Sequence, residues 1–554
     1  MKVLLVAINS KYIHSNLAVY SLKAYAKSTA SKLSIDVTIA EYTINQNIDE
    51  ILGDIYLQKP DRVCFSVYIW NVDIVEKLID EITKIMPKSE IWCGGPEVSY
   101  DASDFLRRNE GAAGVMSGEG EETFDELLTG FADSLKFQGI NGITYREGNN
   151  IIVNSNRSQM DLNQVPFIYN DISEFENKII YYEGSRGCPY SCSYCLSSID
   201  KSLRFRDVKK IKEELQFFLD NKVKQVKFVD RTFNCSSEYA EKIWQYLLDN
   251  DNGITNFHFE IAADVLTERE LRIIKGMRPG LIQLEIGIQS TNEKTINEIR
   301  RKMDFDKVRS NVLTIKGYKN VHQHVDLIAG LPYENLESFS RSFDMVYALH
   351  AEQLQLGFLK VLKGSYMEEM KEQYELKYNS HPPYEVLTTK WISYMDILLL
   401  KSIEEMVETY YNSGQFKITI DYLETMYSSP FLMYEQIAKF YKANNYFGIK
   451  HSRSKRYEIL LSYVECYHEE SKEYFRELLT LDYYLRENAK GRPKFAFEYC
   501  LDKDETRAIY NRLEIVPTKN MAHIERFPIM KKTYLFDYSK RDPMTNEAIL
   551  TEVL

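Results

Sequence analysis

The chain has 554 residues, too many for one ordinary domain, and its 44% hydrophobic and 27% charged residues are those of a folded globular protein rather than a disordered or fibrous one. A formal net charge of -12 works against a broad phosphate-backbone footprint, so nucleic acid is not expected as the main partner. Eight cysteines are too sparse for a disulfide framework, and the apolar opening Met1 to Ile8 turns polar at Asn9-Ser10-Lys11, too short for a signal peptide or membrane span; a cytoplasmic protein is expected, with no membrane partner.

The first third alternates short apolar runs with helical patterns. The runs are Val3 to Ile8, Ile35 to Ala40, Arg62 to Val67, Glu90 to Cys93 and Gly114 to Ser117. Continuous apolar strands separated by helices predict a parallel sheet covered on both faces, a Rossmann-like unit over 1–135 whose ligands sit at the carboxyl ends of the strands. Those ends carry Ser66, then Gly94-Gly95-Pro96, then Gly118-Glu119-Gly120, small residues that let a bulky cofactor approach the backbone. Cys64 and Cys93 lie inside strands and read as small buried hydrophobes. A hairpin over Gly142 to Val153 and a linker marked by Pro166 fill 136–174. A second strand and helix series follows over 175–370, with strands near 179–182, 226–229, 258–262, 283–288, 324–328 and 354–361, which suits an open, partial (β/α)6 barrel. Asp207 caps a helix whose Val208, Ile211, Leu215, Phe218 and Leu219 share a face. Beyond 371, patterns rich in tyrosine and leucine predict a mainly helical domain to the end.

The chemistry gathers after the first barrel strand, in Gly184-Ser185-Arg186-Gly187-Cys188-Pro189-Tyr190-Ser191-Cys192-Ser193-Tyr194-Cys195. A structural zinc site wants four ligands, and no nearby histidine or second cysteine pair completes one, which favours an iron-sulfur cluster. Three cysteines on a four-iron cluster leave one iron open to substrate or cofactor.

This C-x3-C-x2-C spacing, with aromatic Tyr194 before the last cysteine, resembles the radical SAM superfamily over about residues 175–365. The resemblance implies that Cys188, Cys192 and Cys195 hold a [4Fe-4S] cluster, that the open iron chelates S-adenosylmethionine (SAM), and that an electron then cleaves it to a 5'-deoxyadenosyl radical. It implies Asp230, in Phe228-Val229-Asp230-Arg231-Thr232-Phe233-Asn234, as the contact to the SAM amino group, although the common Gly-Gly-Glu form is absent. Glu285, Gln289 and Ser290 fall in the segment toward the ribose, Gly330 in the fifth-strand motif against the adenine, and Lys360 on the sixth strand. Each also has a plainer reading, Asp230 as a strand-end cap, Glu285 as a rim ion pair and Gly330 as a turn. Arg204 and Arg206 read as surface.

The glycine segments ahead of such a barrel resemble the cobalamin-binding domain of cobalamin-dependent radical SAM proteins. Ser66, Gly94, Gly95, Pro96, Gly118, Glu119 and Gly120 are then candidates to line cobalamin, with Trp70 beside them or in the core. The mutase-type Asp-x-His-x-x-Gly motif is missing; His14, with Tyr12 before it and Leu17 after, reads as packing rather than a cobalt ligand. Both cofactors together imply methyl transfer to an unactivated carbon of an unidentified substrate, with an electron donor such as flavodoxin or ferredoxin. The alternatives are a radical SAM oxidoreductase, cyclase or methylthiotransferase, and, from another class, a non-catalytic redox or cobalamin sensor. Cys235, Cys466 and Cys500 supply no second cysteine set. In the last domain Tyr410-Tyr411 and Tyr483-Tyr484 read as half-buried packing, and Lys490-Gly491-Arg492-Pro493-Lys494 as an exposed basic turn.

Overall fold

The computed structural model describes residues 1–488, 491–498, 501–513 and 521–553, the side chains of 134–136 excepted. The chain begins on β1 (Lys2–Asn9), whose successive residues serve two different cores. Leu4, Val6 and Ile8 pack into one hydrophobic cluster, and Val3, Leu5 and Ala7 into another. A strand buried on both faces has no polar face to show, which is why the run is apolar throughout. Around it lie β2 (Asp36–Thr43), β3 (Arg62–Ser66), β4 (Glu90–Gly94) and β5 (Ala112–Met116), all parallel. The hairpin β6 (Ile143–Glu147) and β7 (Asn150–Val153) adds two antiparallel strands, giving the order β2-β1-β3-β4-β5-β6-β7.

The barrel series comprises β8 (Ile180–Tyr182), β11 (Gln225–Phe228), β12 (Asn256–Ile261), β13 (Ile282–Gln289), β14 (His322–Ala329) and β15 (Gln353–Phe358), with a short antiparallel ladder of β9 (Ser185–Arg186) and β10 (Arg204–Phe205) after the first. The six lie within a few residues of the expected runs. Asp207 caps the helix Val208–Asp220 as expected, accepting from the amides of Lys209 and Lys210. Two compact units divide the chain. One holds Met1–Gly276, Ile296–Met303 and Phe358–Lys390, and the other Met277–Thr295, Asp304–Gly357 and Trp391–Leu554. In the first, β8, β11 and β12 run parallel. In the second, the order is β15-β14-β13, with a register shift between Gly287 and Gln289. A minor ladder, β16 (Lys377–Tyr378) with β17 (Val386–Thr388), closes the first unit.

The carboxy-terminal part is mostly helical, from the helix Tyr394–Val407 to the helix Lys472–Arg486. It ends differently from the expectation, in an antiparallel sheet of β18 (Ala522–Phe527), β19 (Lys532–Arg541) and β20 (Ala548–Glu552). In β19 the residues Tyr534, Phe536 and Tyr538 recur at period two beside Thr533 and Leu535, which favours a pleated strand over a helix. Tyr410 and Tyr484 pack in the interior and Tyr411 is half-buried, with Tyr410 Oη 2.6 Å from Tyr441 Oη. The supposed basic turn is not a free loop, because Arg492 forks onto the buried Glu525 at 2.7 and 2.8 Å. Lys490 and Cys500 lie outside the described residues. Among the described residues no helix is long and apolar enough to cross a membrane.

Candidate active site

The cysteine loop leaves β8 at Tyr182 and is fixed from several directions before any cofactor is considered. The amides of Gly184 and Ser185 both donate to the Asp230 carboxylate at 2.9 Å. Gly187 has φ +90, and a side chain there would stand 2.4 Å from the Ser202 carbonyl oxygen, so the turn into Cys188 admits only glycine. Further on, the Cys188 amide donates to Asp200 O (3.0 Å), the Ser193 amide to Ile299 O (2.9 Å), and the Met367 amide to Ser193 O (3.0 Å). Cys188 and Cys192 are buried and Cys195 half-buried, all as free thiols. Burial pushes the Cys188 thiol up, with smaller contributions in the same direction from Cys195 and Cys192. Cys188 Sγ lies 4.0 Å from Thr232 Oγ1.

Three soft sulfur donors on one rigid loop fit an iron-sulfur cluster. Among the described residues, the set of His, Cys, Asp or Glu ligand atoms lying within 4.8 Å of one another is Glu285, His324 and Asp326. A cation that sequence reasoning missed completes the pocket: Arg301 Nη1 donates to Tyr194 Oη at 3.3 Å and to Cys192 Sγ at 3.7 Å.

The proposed SAM contacts fall at several depths. Asp230 is fully buried; one oxygen takes the two loop amides and the other lies 3.4 Å from Tyr239 Oη, so it anchors the loop as a strand-end cap instead of presenting a free oxygen to an amino group. Burial raises its pKa to about 7 despite those hydrogen bonds. The folded state therefore keeps this proton longer than the unfolded one, and the group's stabilising effect, full below pH 4, is lost as pH rises from about 4 to 7, at about 1.4 kcal/mol per pH unit. Asp230→Asn keeps an acceptor and cannot ionise, so its denaturation midpoint should vary less over that range than the parent's.

Glu285, His324 and Asp326 share one face of the β13 and β14 pair, with Glu285 in register with His324 and His324 Nε2 3.2 Å from Asp326 Oδ1. Gln289 follows the register shift with φ +74, and its buried Oε1 has no hydrogen-bond partner. Ser290 is buried and donates to Glu334 (2.9 Å), a carboxyl pushed up to about 7 by burial. Gly330, at φ +87, turns the chain out of β14. Lys360 is not on the sixth strand. β15 ends at Phe358 because the backbone then pairs elsewhere, Val361 N to Tyr384 O and Val386 N to Leu359 O, leaving Lys360 exposed in a bridge to Glu385.

At the carboxyl edge of the first sheet, Ser66 Oγ lies 3.4 Å from Asn16 Nδ2. Gly94 ends β4, and Gly95 has φ +121 with the position of a side chain 2.3 Å from the Val67 carbonyl oxygen. Gly95→Ala should therefore cost about 3 kcal/mol and loosen whatever the edge holds, read by thermal denaturation. Pro96 opens the short helix Pro96–Ser99, and Gly120 caps the helix Glu121–Ala132. Gly118 is exposed, with no atom within 4 Å of where a side chain would stand. A cavity of about 300 Å³ opens nearby, lined among others by Ser99, Asp101, Ser117, Thr144 and Asn154. Trp70 is not core: it is 42% exposed, stacks on Tyr68 at 4.4 Å, and donates from Nε1 to Ile8 O. His14 packs through Nδ1 against Tyr181 Oη at 2.6 Å. Cys64 and Cys93 are buried, and burial pushes the Cys64 thiol up to about 12.

Glu119 is taken up by partners within the protein. It holds Arg204 (2.6 Å), Arg186 (3.3 Å) and the Met160 amide (3.0 Å), while Arg186 also pairs with Glu121 and Glu183. Neither Arg204 nor Arg206 is a surface residue, since Arg204 joins this network and Arg206 is buried against Glu214 at 2.8 Å. A second tie joins Glu97, after the glycine pair, to Lys363 (2.9 Å) and Tyr384 (2.6 Å). No short spacing announces the pairs of Glu119 with Arg204, Glu121 with Arg186 and Glu97 with Lys363 and Tyr384, whose partners are far apart in the chain.

Comparison with known proteins fits this geometry. The family profile described as B12 binding domain matches residues 3–128, the Radical SAM superfamily matches 182–346, and a family of proteins of unknown function, DUF4080, matches 372–546. The cobalamin-dependent radical SAM methyltransferase TokK of Streptomyces tokunonensis is 23% identical over 352 residues, 58% of this chain and 50% of that protein. The 2-(S-pantetheinyl)-carbapenam-3-carboxylate methyltransferase of Streptantibioticus cattleyicolor is 26% identical over 302 residues, 50% of this chain and 44% of that protein. The chain thus spans about half the length of these relatives. The radical SAM methyltransferase TsrM of Kitasatospora setae, solved with cobalamin and a [4Fe-4S] cluster, shares the fold at a TM-score of 0.57 and 16% identity, covering 69% of this chain and 78% of that one. The chain thus carries a match to the B12 binding domain over residues 3–128, ahead of a match to the Radical SAM superfamily over residues 182–346.

Proposed function

We propose that the chain is a cobalamin-dependent radical SAM enzyme that methylates an unactivated carbon. The observation that carries this reading is the pinned loop of Cys188, Cys192 and Cys195 with its arginine, two residues beyond an Arg186 gripped by Glu119 and Glu121 of the B12 binding domain. When bound, the cluster supplies an electron for SAM cleavage and cobalamin a transferable methyl group. The chain's own residues then have separable tasks. The cysteines hold iron, and Asp230 and Arg206 hold the loop. Glu285, Gln289, Ser290 and Asp326 offer polar groups for the SAM ribose, and Gly330 leaves room beside its adenine. Ser66, Gly94, Gly95, Pro96, Gly118 and Gly120 give a corrin access to the backbone, with the Tyr68 and Trp70 stack as an aromatic wall. A cytoplasmic setting and a flavodoxin- or ferredoxin-like donor suit a reducible cluster on free thiols.

Methyl transfer is favoured by the relatives whose names carry it. The test is anaerobic reconstitution with iron, sulfide and hydroxocobalamin, then SAM and a reductant, scoring 5'-deoxyadenosine, S-adenosylhomocysteine and retained corrin by mass spectrometry. Deoxyadenosine together with stoichiometric corrin supports the proposal. A working cluster that retains no corrin reduces it to radical SAM chemistry alone, and neither product sinks it.

A further inference from the structure

Arg301 reaches the cysteine loop along the backbone. Ile299, two residues earlier, accepts the Ser193 amide at 2.9 Å, so the segment carrying the arginine is bonded to the segment carrying the sulfurs. Its Nη1 sits 3.7 Å from Cys192 Sγ and 3.3 Å from Tyr194 Oη. The adjacent Arg300 turns away and lies over the Tyr366 ring at 3.5 Å. A guanidinium keeps its charge at any pH at which the protein folds, and it reaches the sulfur from a site closed to bulk water on the Cys192 side, where that thiol is only 6% exposed.

We propose that Arg301 sets the reduction potential of the cluster through a charge-assisted N–H···S bond to Cys192, an inference that rests on the radical SAM reading above. One-electron reduction adds one negative charge to the iron and sulfur atoms, with no bond made or broken. A fixed positive charge at this distance stabilises the reduced form more than the oxidised one, and weak screening in the buried pocket keeps the difference large. The arginine therefore raises the potential. That lets a donor of moderate potential fill the cluster, at some cost to the driving force with which the electron then leaves for SAM. Tyr194 Oη occupies another face of the same nitrogen and keeps the guanidinium on the sulfur, which gives the aromatic residue before Cys195 a positioning role.

The experiment is a potentiometric titration of the [4Fe-4S] couple, followed by electron paramagnetic resonance, on the full chain reconstituted anaerobically with iron and sulfide. Arg301→Met should shift the reduction equilibrium about tenfold toward the oxidised form, about 59 mV more negative for a one-electron couple. Arg301→Lys, which keeps the charge, should move it less, and Arg300→Met should leave it at the parent value. An Arg301→Met protein with full iron content and the parent's potential overturns the proposal. Should that variant take up no iron, Arg301→Gln, uncharged but still a donor, decides in its place: a potential below the parent's supports the proposal and an unchanged one overturns it. Failure of the parent chain itself to assemble a cluster would instead sink the radical SAM reading.

Discussion

Replacing Cys188, Cys192 or Cys195 with alanine is expected to bring cluster iron, labile sulfide and SAM-derived 5'-deoxyadenosine to background, while the fold persists. The loop owes its shape to contacts that the sulfurs do not make: the two amides on Asp230, the left-handed Gly187, and backbone bonds to Asp200, Ile299 and Met367. A missing sulfur therefore removes a ligand without collapsing the frame, and two remaining thiolates cannot retain a four-iron cluster that already lacks a fourth protein ligand. Iron and sulfide analysis, with the cluster's visible absorption, checks the first half of the expectation. An unchanged far-ultraviolet circular dichroism spectrum checks the second. A variant that kept its full iron would remove that cysteine from the ligand set.

Arg206→Met is expected to destabilise the chain by about 3–5 kcal/mol, the usual effect of leaving a buried charge without its partner. Arg206 and Glu214 are each 6% exposed and meet at 2.8 Å; Glu214 also accepts from Tyr182 Oη at 2.5 Å, and the Arg206 amide donates to Gly184 O. Burial already raises the Glu214 pKa, opposed chiefly by Arg206. Without the arginine it rises further, so the folded variant holds that proton to higher pH than the unfolded chain does. The deficit should then be smaller at pH 5 than at pH 8, as followed by chemical denaturation. Converting the pair together, Arg206→Met with Glu214→Leu, should recover most of the loss, because no unpaired charge remains.

Much of this architecture is legible in the amino-acid order because strands buried on both faces announce themselves. Val3 to Ile8 or Val63 to Phe65 are apolar on both faces, and the cysteine spacing places the cluster loop directly after a strand. What escapes has a common physical character. The end of β15 is set by a ladder with residues some 25 positions later, so Lys360 looks like strand until its partner Glu385 is known. The terminal sheet hides in a tyrosine-rich stretch that resembles the preceding helices in composition and differs only in period. Glu119 looks like part of a glycine-rich cofactor edge, yet its partner Arg204 lies 85 residues away, and Arg301 is separated from Cys192 by 109. Ion pairs between remote segments carry no periodic signature, so they are visible only once the chain is folded.

The grip of Glu119 and Glu121 on Arg186 bears on how such a chain was assembled. Two modules joined by a flexible tether can be separated, exchanged or expressed as two polypeptides. Here the amino-terminal module supplies carboxylates to a residue two positions ahead of the first cluster cysteine, and Lys363, beyond the last barrel strand, returns to Glu97 of the same module. Domain swapping between relatives would therefore have to carry both sides of these pairs at once, and during synthesis the iron-binding loop gains its full set of supports only after residue 367, whose amide donates to Ser193 O, has been made.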